Sequence, residues 1–345
     1  MRVLVTGLST YWGGQLAQCL EKIPEAEIIV GLDTRDPLLP LERTEFVRAD
    51  TSYSILSRIV LAAQIDTILH THLIVDSTNV SARALHEINV IGTMNLLAAA
   101  SAAGSPVRKV VVKSSTLVYG SNRDDPTFFR EETPRTSSPK TRVERSLLEV
   151  EEYLHEFAED NPHVVVTLLR YSNVLGNNLD TPVARSLRLP VIPEILGFDP
   201  RLQFTHEDDV LGVLGYAATH DVPGIYNIAG DGMIPWSEVC TILGKRRVPL
   251  PPVLTNLAAG PLRRLGVVDL PPETLSLLRY GRGVDNTRFK AAGYQYRYTS
   301  AGTVQAFSEG LRLAKAVGTA EPAYKYESDV EAFFRHSSAV VRGTE

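Results

Sequence analysis

Cysteine is scarce in this chain. Cys19 and Cys240 stand far apart in 345 residues, without metal-ligand spacing, and build neither a disulfide framework nor a zinc site. Long apolar runs are missing too: no stretch approaches the roughly 20 residues that a membrane-spanning helix needs. Nor is there an excess of positive charge. The 35 Lys and Arg face 40 Asp and Glu, a net charge of -5, and the pI is near 6.0. The densest basic cluster is Lys245-Arg246-Arg247, which argues against a nucleic-acid or anionic-membrane partner. The first expected strand begins at residue 2, leaving no room for a signal peptide. The expectation is a soluble cytoplasmic protein.

What is present is apolar material in a regular rhythm. With 44% apolar residues the chain can bury a large core, as one big α/β unit or two lobes. Apolar strands are expected over 2–6, 26–32, 44–48, 66–70, 107–113 and 163–169, with helices near 13–23, 52–63, 80–103 and 143–159. That alternation predicts an α/β fold with a doubly wound parallel sheet and helices on both faces. The polar segment SNRDDPTFFREETPRTSSPK, 121–140, reads as a loop at the carboxyl end of VVVKSS, where open α/β sheets bind ligands. After residue 176 the pattern loosens. PLPPV (249–253) and LPPE (270–273) punctuate short helices, while FTHEDDVLGVLGYAA and GIYNIAG read as one more helix and strand returning to the sheet. The last residues, from about Arg342, are expected to fray.

The stretch Thr6-Gly7-Leu8-Ser9-Thr10-Tyr11-Trp12-Gly13-Gly14 follows the strand RVLV and precedes Leu16, Leu20 and Ile23 at helical spacing. Strand, glycine turn and helix together make a cradle for a pyrophosphate at a helix N-terminus. Thr10 stands where a second glycine would let a ligand approach. Its Cβ is expected to displace the loop or the ligand, and its hydroxyl is free to donate to a phosphate oxygen. Asp33 ends IIVGLD and can accept from both hydroxyls of an adenosine ribose, which favours NAD over NADP. Arg35 pulls the other way.

These residues belong to a longer series. Gly7 to Gly13, Asp33, Asp50 in RADT, Asn89 in INVIGTMNLL, SSTLVYG at 114–120, LLRYSNVLG at 168–176 and HEDDV at 206–210 follow in order. Over roughly residues 1–315 the chain resembles the extended short-chain dehydrogenase/reductase family, the NAD-dependent sugar-nucleotide epimerases and dehydratases, and in particular its actinobacterial UDP-glucose 4-epimerase-like members. The resemblance implies a Rossmann-type fold: a dinucleotide-binding domain over 1–175, with 201–230 returning to it, and a smaller C-terminal substrate lobe made mainly of 176–345. It implies NAD contacts from Gly7, Thr10, Tyr11, Trp12, Gly13, Asp33, Asp50, Thr51, His70, His72, Asn89, Ser114, Arg145, Tyr171 and Ser172. Substrate contacts would come from Asn173 and Arg201. The partner implied is a small molecule of nucleotide-sugar type, and the assembly a homodimer.

The family's chemistry uses a Ser or Thr that orients the substrate hydroxyl, a Tyr that transfers its proton, and a Lys four residues after the Tyr. Ser115 and Thr116 supply the first. The tyrosine is missing, since none lies between Tyr119 and Tyr153. One register of Y-x-x-x-K sets Thr136 and Lys140 in the pair, with Glu144 as the helix glutamate four residues on. The preferred register sets Thr141 and Arg145, with Glu149 as that glutamate. A threonine hydroxyl is no base near neutral pH, whereas Arg145 can still hydrogen-bond a ribose. The expected catalytic set is therefore Ser115, Thr116, Thr141 and Arg145, so an enzyme with an altered proton path, a reductase of a non-sugar carbonyl and a non-catalytic NAD-binding module all stay open. Other chemistries fit less well. His70 and His72 alternate on one strand face without a third metal ligand, so no metal is expected. Glu207, Asp208 and Asp209 read as a helix start rather than a glycosidase pair. Gly7-Leu8-Ser9-Thr10-Tyr11 lacks the second glycine of a nucleophile elbow.

Overall fold

The computed structural model describes residues 1–78, 80–251 and 271–317. Seven parallel strands form the central sheet: β1 (Arg2–Thr6), β2 (Ile28–Asp33), β3 (Thr44–Arg48), β4 (Thr67–His70), β5 (Lys109–Ser115), then, after the two-residue β6 (Phe128–Phe129), β7 (Val165–Tyr171), and, after the short β8 (Asn173–Leu175), β9 (Val191–Ile195), β10 (Arg201–Leu202) and β11 (Phe204–His206), the edge strand β12 (Gly224–Ile228). Their order is β12-β7-β5-β4-β1-β2-β3. The order reverses between β1 and β4, so the carboxyl ends of these two strands flank the crevice where such sheets take ligands.

Strands buried on both faces read as continuous apolar runs, and here alternate residues serve two cores. Leu4, Leu32, Ile68, Val110, Val112 and Leu168 face α2 (Tyr53–Ala62), α4 (Gly92–Ala100) and α5 (Arg142–Asp160). Val3, Val5, Ile29, Leu69, Val111 and Leu169 face α1 (Tyr11–Glu21) and α7 (Glu207–Thr219). A third apolar cluster gathers Leu175, Leu187, Phe204, Trp236, Leu277 and Phe307 from later segments, including α6 (Pro182–Arg188).

The expected helix over 80–103 is not uniform. It runs as α3 (Ala82–His86), a π-helical turn (Glu87–Ile91) and α4, with Asn89 buried in the wide turn. The 121–140 loop is tied down by β6, which pairs in parallel with Gly283–Val284. Helix α7 and β12 return to the sheet as expected. PLPPV and LPPE lie partly outside the described residues, and the terminus from Arg342 wholly so.

Candidate active site

The glycine turn is built by its own hydrogen bonds. Gly7 takes φ +78°, and its carbonyl accepts from the Thr10 amide at 2.9 Å and the Thr10 hydroxyl at 2.6 Å. Thr10 caps α1 in ordinary extended geometry (φ -78°, ψ 158°), its Oγ1 accepting from Gly13 N at 3.1 Å. The hydroxyl expected to be free for a phosphate oxygen instead gives its one proton to the Gly7 carbonyl. Gly13 is required here, because a Cβ on it would fall 2.1 Å from the Gly7 carbonyl oxygen. The first-turn amides of Tyr11 and Trp12 have no acceptor within the helix, which leaves them for an anion at this end.

Asp33 ends β2 beside the turn and is 3% exposed. Its Oδ2 accepts from Ser9 N, and its Oδ1 from the Thr34 and Arg35 amides. Burial works to raise its pKa, but these hydrogen bonds outweigh burial and hold the carboxyl below its ordinary value. The carboxylate thus stays charged, with Oδ2 keeping one accepting direction. Asp50 is exposed and binds the Ser52 amide, while the Thr51 carbonyl accepts from Asn95.

His70 and Asn89 are held by hydrogen bonds within the scaffold. Thr93 gives its proton to the Asn89 carbonyl, so His70 Nε2 donates to Thr93 Oγ1 (3.1 Å) and His70 Nδ1 accepts from Thr6 Oγ1 (2.6 Å). Burial holds His70 neutral, its pKa pushed down to about 3. The His72 side chain lies against the turn, 2.8 Å from where a Cβ on Gly7 would stand. Among the described residues no three His, Cys, Asp or Glu side chains gather as a metal site. Asn89 Oδ1 accepts from Ile74 N, and its Nδ2 donates to the Ile74 carbonyl and to Ser146 Oγ.

A cavity of about 470 Å³ opens at the carboxyl ends of β5 and β7. Its walls bring together Tyr11 and Trp12 from α1, Lys113, Ser115 and Thr116 from β5 and the turn after it, and Ser172 and Asn173 beyond β7. Asp76, Glu273 and Arg282 also line it. A larger hollow of about 1030 Å³ lies at the opposite end of the strands, against Arg2, Thr67 and Val165, away from the crevice. Ser115 Oγ accepts from Leu117 N, and its nearest acceptor is the Tyr171 carbonyl at 3.5 Å, leaving the hydroxyl available to a ligand. Asn173 Nδ2 donates to the Gln203 carbonyl, and Ser172 pairs with Thr205. Tyr171 lies beneath the cavity in the core, its hydroxyl on the Val210 carbonyl. Arg201 is exposed and lines a neighbouring cavity, which shares Arg282 with this one.

The cavity is built without Thr141 and Arg145. Thr141 caps α5, its Oγ1 accepting from Glu144 N, and Arg145 is exposed. Of the other register, Thr136 bonds Asp125, Lys140 bonds Asn122, and Glu144 is buried against Arg135. The inward face of α5 is set by a different glutamate. Glu151 meets Arg170 at 2.6 Å and accepts from Ser114. Counting back four and eight residues from Glu151 reaches Leu147 and Val143, both apolar and 0% exposed. The acids at the start of α7 are structural: Glu207 accepts from Tyr11 Oη (2.6 Å) and Asn177 N, and buried Asp209 accepts from the Arg297 and Tyr298 amides.

Three buried, charged cavity residues escaped the sequence reading. Lys113 is 5% exposed, and burial lowers its pKa to about 8; its position two before Ser115, on the same strand face, was the signal. Arg282 is buried, its pKa lowered to about 10 by desolvation, and its Nη1 donates to the Gly120 carbonyl. Burial raises the Glu273 carboxyl above its ordinary range, and its Oε2 has no partner. No sequence signal marks either, since both reach the cavity from residues far along the chain.

A family model described as "NAD dependent epimerase/dehydratase family" matches residues 3–229. An uncharacterized protein of Mycobacterium tuberculosis is 35% identical over 317 residues, which is 90% of this chain and 83% of that one. Among solved structures, UDP-glucuronic acid 4-epimerase from Bacillus cereus, in complex with UDP-glucuronic acid and NAD, superposes with a TM-score of 0.69. It is 19% identical and matches 91% of this chain and 99% of its own. A dTDP-glucose 4,6-dehydratase from Bacillus anthracis in complex with NAD gives 0.68 at 18% identity, covering 92% and 98%. At these identities the structures speak for the fold. Among the described residues no helix is long and apolar enough to cross a membrane.

Proposed function

The chain belongs to the NAD dependent epimerase/dehydratase family, and on that premise we propose that it binds NAD(H) across the α1 turn and acts on a nucleotide-sugar-type substrate in the 470 Å³ cavity. The observation that carries this reading is the continuity of the cavity wall, from Tyr11 and Trp12 through Ser115 and Thr116 to Asn173 and Arg282. The cradle suits the cofactor, because the first-turn amides of Tyr11 and Trp12, with no acceptor in the helix, suit a phosphate and the charged Asp33 carboxylate suits a ribose diol better than a 2′-phosphate. Bound there, NAD would supply hydride chemistry. Ser115 orients the reacting hydroxyl or carbonyl, and Arg282 offers a buried cation to a phosphate of the substrate.

Proton transfer in this reading does not use a phenol on α5, because Val143 and Leu147 fill its inward positions. That favours a second reading, a non-catalytic dinucleotide-binding module. One experiment separates the two: purified protein with NAD is assayed for turnover of UDP-glucose and of other nucleotide sugars. Loss of the general base leaves rates about 10²–10⁴ below those of a complete site. Slow turnover abolished by Ser115→Ala supports the enzyme. Tight NADH binding with no turnover supports the module, and no binding of NAD(H) at all refutes both.

A further inference from the structure

Lys113 is a charged side chain in an unusual place. It stands near the end of β5, 5% exposed, in the cavity wall with Ser115 and Trp12. Its Nζ lies 5.1 Å from the Trp12 ring centroid and 5.3 Å from that of Tyr171. No acceptor within hydrogen-bond distance and no carboxylate partner is found among the described residues. Ring faces attract an ammonium but accept none of its three N–H bonds as a carboxylate would. A desolvated cation without acceptors is costly to keep. Here that cost is borne on a cavity wall, at the N-terminus of the eleven-residue helix α1, whose dipole also favours negative charge.

We propose that Lys113 is an anion-binding residue of this cleft, and that the group it takes is the diphosphate of a nucleotide ligand. The first-turn amides of Tyr11 and Trp12 and the lysine ammonium are donors from one end of the cavity. An anion with several oxygens in different directions satisfies such a set better than a single carboxylate. The diphosphate comes either from a dinucleotide or from a nucleotide sugar. The proposal rests on the nucleotide reading above, but it does not depend on which of the two ligands is bound.

The groups that face Lys113 are few. Tyr11 and Trp12 approach from α1, and Tyr171 from β7. Glu207 reaches the same end through Tyr11, while Asp76, Asp180, Glu273 and Arg282 stand around the remaining walls. Tyr11 and Tyr171 are pushed upward by burial, so neither ionises near neutral pH. Between pH 7 and 9 the free amine passes through its pKa of about 8, and a ligand that requires the ammonium loses about tenfold in affinity.

The test is calorimetric titration of the full chain with NADH and with UDP-glucose at pH 7 and pH 9. Both probes are diphosphate diesters whose phosphates do not titrate in this range. At least one is expected to bind the native protein about tenfold more weakly at pH 9. Repeating the titration at pH 8 in buffers of different ionisation enthalpy should show uptake of up to about half a proton. Lys113→Met should bind that probe more than tenfold more weakly at pH 7, with no fall to pH 9 and no proton uptake. Lys113→Arg should keep the affinity and lose the pH dependence, which serves as the test if the methionine variant fails to fold. Dependence confined to UDP-glucose assigns the lysine to the substrate; dependence confined to NADH assigns it to the dinucleotide. If NADH fails to bind while UDP-glucose binds through Lys113, the NAD reading falls and the proposal stands. Native-like affinity and pH dependence in Lys113→Met overturn it, as does failure of both probes to bind the native protein at pH 7.

Discussion

His70 separates a scaffold role from a cofactor role in one measurement. Replacing it with asparagine removes two buried hydrogen bonds, to Thr6 and Thr93, each worth about 0.5–1.5 kcal/mol. The native protein should therefore be about 1–3 kcal/mol more stable than His70→Asn at pH 8. That advantage depends on pH, and its sign follows from burial. The folded pKa is depressed to about 3, whereas the unfolded side chain titrates near its ordinary value of about 6.5. Stability is full above the unfolded pKa and drains away as pH falls below it toward about 3, because only the unfolded chain takes up the proton. Between pH 8 and pH 5 the native protein should lose about 2 kcal/mol relative to the variant. The figure barely changes for any folded pKa below about 4, which makes it a robust target. Urea denaturation of both proteins at pH 8, 6 and 5, followed by tryptophan fluorescence, gives the difference directly. A gap equally wide at pH 5 and pH 8 would refute the neutral, doubly bonded imidazole. A gap that closes while NADH affinity at pH 8 stays unchanged would place His70 in the frame of the site rather than its surface.

Three other expectations follow from the same geometry. Gly13→Ala forces a methyl against the Gly7 carbonyl; it should cost about 1–3 kcal/mol and weaken NADH binding more than tenfold, read by thermal melting and titration. Native protein should bind NADH more tightly than NADPH, and Asp33→Asn should narrow that ratio by removing the charge a 2′-phosphate meets; tighter NADPH binding by the native protein would put Arg35 in control. Thr141→Ala should cost about 1 kcal/mol through the lost α5 cap, and Arg145→Ala less than about 0.5, with nucleotide affinity unchanged in both; a tenfold loss of affinity in either would return the start of α5 to the site.

The parts of the fold legible in the sequence were those where local pattern and tertiary role coincide. RVLV, IIVGLD and VVVKSS are apolar because both their faces are covered, so their strand character and parallel pairing could be read directly. The glycine turn was legible for the same reason, since a close approach of backbone to backbone demands Gly13 in any context. Thr10 was not, because whether its hydroxyl turns inward depends on where the Gly7 carbonyl points. The phase of α5 was hidden more deeply. RVERSLLEVEEY offers glutamates at 144, 149, 151 and 152, and spacing alone favoured Glu149. The choice is made across the sheet, where Arg170 Nε and Nη2 grip Glu151 in a pair 9% exposed on each side. Successive helical residues are about 100° apart, so moving the reference glutamate by two residues, about 200°, carries Arg145 from the inward face to solvent.

That phase shift bears on what the cleft can do. On α5 the inward positions belong to the core: Val143 and Leu147 pack in the cluster that holds Val118 and Tyr119. Polar chemistry therefore has to come from the other walls. On β5 the alternation that buries Val111 toward α1 and α7 carries Lys113 and then Ser115 along the same face. At Lys113 the strand leaves the apolar layer and enters the cavity, where the protein keeps a cation it could have replaced with valine. Arg282 is a second buried cation on the far side, lining the cavity while its Nη1 donates to the Gly120 carbonyl. Lys113, which has no such acceptor, is hard to explain as packing, because an apolar residue there would be cheaper. It is economical if an anionic ligand completes it. On the proposal above, the missing phenol on the helix and the lysine on the strand belong to one site, arranged around charge where the family's usual arrangement relies on a phenol.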